Sequence, residues 1–233
     1  MKPMPTASHP SFIQATLAVV RKDLTAEFRS RELLSAMLVF SLLVIIIFNF
    51  ALELNIKERQ TVAAGVLWAT FAFAGTLGLN RSMAMEKDRG CLDGLLLAPV
   101  DRAAIYFGKV TSNLVFMFVV EAITLPLYAV LYNEARIFQP GFLLVILLGS
   151  IGYTSVGTLL ASMAVETRTR DVLLPILLFP VTIPVLLLAI RACNGILSGS
   201  TMEEIMPLLN MLIVYDVIFT AVAFMVFDNV VEE

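Results

Sequence analysis

Histidine is almost absent from this 233-residue chain, with His9 alone in an N-terminal arm. That removes the usual base for a serine or cysteine nucleophile and the spacing of a histidine metal site, so the chain does not read as an enzyme. Cysteine is nearly as scarce, at Cys91 and Cys193, and no CxxCH haem-attachment motif occurs. Trp68 is the only tryptophan, which excludes a tryptophan-rich cofactor platform. A phosphate loop is lacking too: Ala103 to Lys109 has no first glycine, and Val110 stands where Ser or Thr should follow the lysine. Any energy from ATP must therefore come from another protein. Charge is sparse, at 15% of residues, and no nucleic-acid partner is expected.

What fills the chain is apolar. Hydrophobic residues make up 59% and mean hydropathy is +0.89, far outside the soluble range. Six runs are long enough to cross a hydrocarbon core, which takes about 20 residues of helix. They are Leu33 to Leu52, Thr61 to Leu79, Val110 to Tyr132, Phe142 to Val165, Val172 to Ile190 and Pro207 to Phe227. Backbone groups in lipid must be satisfied within the segment, so the fold class is an all-α polytopic membrane protein with six transmembrane helices. Residues 1–32 form an arm and 33–233 the transmembrane domain, with a polar loop at 80–109.

Lys and Arg set the expected orientation, because cationic loops resist translocation. The arm carries Lys2, Arg21, Lys22, Arg29 and Arg31, the second loop Arg81, Lys87, Arg89, Arg102 and Lys109, and the fourth Arg168 and Arg170. The opposite side has only Lys57, Arg59, Arg136 and Arg191. Both termini and the 80–109 loop are thus expected in the cytoplasm, and no cleaved signal peptide is expected. Cys91 and Cys193 fall on opposite sides of the bilayer, so one monomer cannot join them. In the arm, Ile13, Leu17, Val20, Leu24 and Phe28 recur at helical spacing while Arg21, Lys22, Thr25 and Arg29 fall elsewhere, as in a helix lying in the interface plane. Such a helix either anchors the first span or acts mechanically.

Within the spans, Pro175, Pro180 and Pro184 remove backbone donors from the fifth, so it is expected to kink or locally unwind as a hinge or cavity wall. Glu121 and Asp216 fall near mid-bilayer, where acids are costly and mark pathways by default. The alternative is a protonated acid bonded to a neighbour that fixes helix packing. Small residues form stripes at Gly65, Ala69, Ala72 and Thr76 and at Ser150, Thr154, Gly157 and Ala161, read as close helix packing.

The polar loop has its own pattern. Ser82 to Ala98 suits a helix broken or capped near Gly90, with Leu92, Leu95 and Leu96 on an apolar face and Glu86, Lys87, Asp88 and Arg89 projecting a charged end. Pro99 stops it, and Asp101 can cap the helix that follows. Asp93 adds a third acid, and both signs of charge on an amphipathic element suit docking into a partner's groove. Glu86, Gly90, the LDGLLLAPV run, Arg102 and Gly108-Lys109 together resemble the cytoplasmic loop of ABC-2-type exporter permeases. More narrowly, nearly the whole chain resembles the haem exporter protein B (CcmB) family of bacterial cytochrome c maturation. That likeness also rests on Arg21-Lys22-Asp23-Leu24, Glu27, FAGTLGLNRS, LLPILLFPVTIPVLL, YDVIF and Glu232-Glu233.

The resemblance implies an ABC-2 exporter fold in a bacterial inner membrane, with the loop as a coupling helix. It implies a homodimer clasped by a cytoplasmic ABC ATPase, beside a haem-handling membrane protein and a small single-span subunit, serving a periplasmic haem chaperone. Haem as transported substrate follows from the resemblance alone; no bound cofactor is expected, the chain has no membrane-placed His, and Met, Tyr or Cys are left as ligands. Two other readings stand beside it: an ion- or proton-coupled carrier using Glu121 and Asp216, and a scaffold with no transport path.

Overall fold

The structure is a computed structural model that describes residues 11–51, 56–88, 90–96, 100–167 and 169–230. The described residues are all-helical: α1 (Phe12–Ser30), α2 (Glu32–Ala51), α3 (Ile56–Asp88), α4 (Cys91–Leu96), α5 (Arg102–Tyr132), α6 (Pro140–Ala164), α7 (Arg170–Ser198) and α8 (Met202–Val230), with a 3-10 turn at Ala135–Phe138. Six helices are long and apolar enough to cross a membrane, and they match the six expected runs in order. Lys57 and Arg59, among the opposite-side cations, have no described side chains, and Arg168, Lys2 and His9 lie outside the described residues.

The helices overrun the apolar segments. Hydropathy measures tolerance of lipid, whereas Arg81, Glu86 and Lys87 are good helix formers that carry α3 past Leu79 to Asp88. Asp101 caps α5 as expected, its side chain accepting from the Ala103 amide at 3.0 Å. Gly90, at φ +63, makes the expected break before the short α4.

At the centre lies α6, which packs against α3, α5, α7 and α8. Its small and polar residues bond outward to each side: Ser150 donates to Glu121 of α5, Tyr153 to the Ala72 carbonyl of α3, and Ser155 shares a hydrogen bond with Thr220 of α8 at 2.8 Å. In lipid, where apolar surface gives helices little reason to associate, such bonds and close packing hold a bundle together. The stripe at Ser150, Thr154, Gly157 and Ala161 is buried within this one chain, and Thr76 of α3 meets Tyr153 at 2.7 Å. Gly149 lies flat against the Trp68 indole, which itself donates to Cys193 at 3.4 Å.

The helix α7 is continuous through Pro175, Pro180 and Pro184. Of the expected kink or local unwinding, the unwinding does not occur; Leu174, Leu178, Thr182, Val185 and Ala189 form a buried seam, and Tyr215 of α8 donates to the Val181 carbonyl at 2.9 Å.

Overpacking the centre should be felt directly. Gly149→Ala is expected to destabilise the detergent-solubilised protein by about 1–3 kcal/mol, with part of the loss recovered by Trp68→Phe. A thermal unfolding series checks this; an unchanged midpoint for Gly149→Ala would contradict the packing.

Candidate functional site

Where α1, α3 and α5 meet, four charges form a closed cluster. Lys109 is 1% exposed, and its Nζ sits 2.9 Å and 3.1 Å from the two Asp23 carboxylate oxygens and 3.0 Å from Glu86 Oε1. Lys22 Nζ completes the ring, 2.6 Å from Glu86 Oε1 and 3.2 Å from Asp23 Oδ1. Two cations face two carboxylates, so the group is neutral overall. Burial lowers the basicity of Lys22, but Asp23 and Glu86 outweigh it and hold its pKa above the ordinary value. Its contribution is therefore present at neutral pH and lost in alkali, as pH rises through the folded value. A cavity of about 100 Å³ lies beside the charges, lined also by Ser82, Met85, Cys91 and Phe116.

Backbone approach makes the cluster reachable. At Gly108 an added Cβ would stand 2.6 Å from Val19 Cβ, so only glycine lets α1 lie this close to α5. Ala15, Val19, Asp23 and Glu27 form the stripe of α1 that faces the bundle, one residue every turn. Ile13, Leu17 and Phe28 point the other way and are exposed. Three of the arm's five apolar positions thus mark its outward face, while Leu24 packs against Leu33, Met37, Phe116 and Val120. Glu27 carries that stripe into α2: its Oε1 accepts from the Leu34 amide at 2.8 Å, a favourable place for an anion at a helix start.

The loop residues do not project as one charged end. Glu86 turns inward into the cluster. Lys87 pairs with Glu166 at 2.6 Å and Asp88 with Arg170 at 3.2 Å, tying the end of α3 to the turn after α6 and to the first residue of α7. Gly90 and Cys91 are exposed, and Leu95 packs toward Ile105, Tyr106 and Phe227. Arg89 lies outside the described residues, as do the side chains of Leu92, Asp93 and Leu96 and the segment Leu97 to Pro99.

The two intramembrane acids are buried but separate. Glu121 is 2% exposed and takes the Ser150 hydroxyl on one oxygen. Asp216 is 7% exposed and rests against Gly152. Ser150 and Gly152 are two residues apart, about 200° around α6, so the acids occupy opposite flanks of that helix. They do not form one relay.

Sequence reasoning named Lys22 and Lys109 among the orientation-setting cations, and Asp23 and Glu27 only within quoted motifs. The signal available was Lys109, a cation within an otherwise apolar helix, since a buried cation requires buried acids. A family model described as CcmB protein matches residues 14–230, nearly the whole chain. The chain belongs to the CcmB family. Among curated proteins, the Heme exporter protein B of Pseudomonas aeruginosa is 28% identical over 172 residues, covering 74% of this chain and 77% of its own length. That of Rhodobacter capsulatus is 26% identical over 189 residues, covering 80% and 85%. That of Bradyrhizobium diazoefficiens is 22% identical, covering 79% and 83%. The match from residue 14 takes in α1, so the four-charge cluster lies wholly inside the CcmB-family region.

Removing one member of this cluster leaves charge buried without a counterion. Lys109→Met is expected to cost about 3–5 kcal/mol and to speed tryptic cleavage at the exposed Arg21 and Arg29 as α1 comes loose. Adding Asp23→Asn should restore part of the protection, and equal cleavage of Lys109→Met and wild-type protein would show that the cluster does not hold α1.

Proposed function

We propose that this chain is the permease subunit of an ABC transporter complex that exports or delivers haem for c-type cytochrome biogenesis. The relatives are named as haem exporters, and the chain itself lacks a phosphate loop, so ATP hydrolysis falls to a cytoplasmic partner. In this reading both termini and the handle from Asn80 to Lys109 face the cytoplasm of a bacterial inner-membrane protein. Two copies form the permease, alongside a haem-handling membrane protein and a small single-span subunit. ATP-driven motion either transfers haem or releases a loaded periplasmic chaperone.

The observation that carries the reading is the four-charge cluster. A push on the handle moves Glu86, and Glu86 is bonded at once to the interfacial helix through Lys22 and to α5 through Lys109. Force received on one face is thereby shared between three helices. The contact surface with the ATPase is assigned to Lys87, Asp88, Arg89, Gly90, Leu92, Asp93, Leu95 and Leu96. Glu86 is the transmitting group behind it. Pro175, Pro180 and Pro184 supply a span whose missing backbone bonds lower its resistance to bending. The carrier reading gains nothing from the structure, since Glu121 and Asp216 lie on opposite flanks of α6.

Copurification tests this. Solubilised wild-type protein should retain a soluble ATPase, and reversing Lys87 and Asp88 together should cut the retained amount roughly tenfold while α1 stays protected from trypsin, about 1.4 kcal/mol of contact energy. Glu86→Lys should lose both the ATPase and the protection. Retention of no ATPase by the wild-type protein would end the proposal.

A further inference from the structure

Asp216 has no hydrogen-bond partner on either carboxylate oxygen among the described residues. It lies at the floor of a groove of about 450 Å³ between α5, α6 and α8, with Phe107, Ile151, Val217, Thr220, Ala221 and Phe224 as the other walls. The residues from Asp216 to Phe224 follow one strip of α8 about 12 Å long, roughly two helical turns. Its middle is small, at Thr220 and Ala221, which lets another backbone approach closely. An acid at this depth faces protein and finds a partner, because lipid supplies none.

This chain offers none to itself, and a second copy offers no free donor either, since its Thr220, one turn from Asp216, already shares its hydroxyl with Ser155. A copy related by an axis along the membrane normal presents the same depths. Within a turn of this level the exposed side chains Phe73, Ile123, Ile183 and Val217 are apolar, while Thr70 and Thr182 are buried. We propose that the groove receives a membrane-spanning helix of a different protein, whose hydroxyl, amide or cationic side chain donates a hydrogen bond to Asp216. The groove is a helix-docking surface defined by one acid amid apolar walls, and an occupant with a carboxylate at that depth is disfavoured by like charge. This inference goes beyond the permease reading and does not depend on whether an ATPase binds.

A benzophenone amino acid at Val217, irradiated in native membranes, tests it, with the adduct peptides mapped by mass spectrometry. The expected adduct is a transmembrane helix of another protein carrying Ser, Thr, Asn, Gln, Tyr, Lys or Arg within about one turn of the crosslink. Its yield should fall roughly three- to fifteen-fold with Asp216→Leu, the range of a single interhelical hydrogen bond, and survive largely with Asp216→Asn. Ala221→Leu alters an exposed position, adds bulk to the groove and leaves the acid in place; it should also abolish the adduct, and decides the matter if Asp216→Leu fails to accumulate. Adducts confined to this same chain or to lipid, a helix with no donor near the crosslink, or a yield indifferent to Ala221→Leu would overturn the proposal.

Discussion

A lysine ammonium with almost no exposure governs this molecule. Taking such an ion out of water costs several kcal/mol, and the cost is met only when carboxylates surround it in good geometry. Lys109 finds one on α1 and one on α3, so neither helix can be placed independently of α5. From that condition follow the glycine at 108, the inward turn of Glu86, and the outward aim of the apolar stripe on α1. The interfacial helix is therefore part of the bundle. Its other side is exposed.

The fold was legible where one physical demand acted alone. Runs such as Leu33 to Leu52 must be helices in lipid whatever they touch, and residues with strong backbone preferences, Gly90 and Asp101, marked the break and the cap. Legibility failed where demands compete. The end of α3 is helical yet charged: a helix from Ser82 was legible, but hydropathy stopped at Leu79 and hid that it continues the span before it. Ile13 and Leu17 mark the interfacial helix by their spacing, but periodicity reports only the most apolar face, so the buried stripe of Ala15, Val19, Asp23 and Glu27 went unread. The candidate site was hidden for a related reason. Lys22, Asp23, Glu86 and Lys109 are distant in sequence and become neighbours only after three helices pack, and a charge alone in a sequence reads as solvated.

The central helix resolves another ambiguity. Two acids at similar depth suggest a shared proton path, but depth is one coordinate and azimuth another. By meeting Glu121 through Ser150 and Asp216 at Gly152, α6 partitions them. Glu121 is held within the chain by the Ser150 hydroxyl on one oxygen. Asp216, closed on one side by a glycine, looks outward past α8. A polar group that satisfies a bundle from within and one that awaits satisfaction from outside are distinguishable only by which neighbour fills the remaining space.

A single residue, Arg31, separates α1 from α2. It sits at φ +54, its amide returns to the Glu27 carbonyl at 2.7 Å, and the next helix begins at once. The joint has no slack, so it acts as a phase key between two screws. One residue inserted there would turn α1 by about 100°, carrying Asp23 away from Lys109 and swinging Ile13 and Leu17 off the lipid. Many side chains can occupy such a joint at a modest strain cost, of order 1–3 kcal/mol. Its length is a different matter: what this corner encodes is a count, and a deletion would scramble the cluster more thoroughly than any substitution within it.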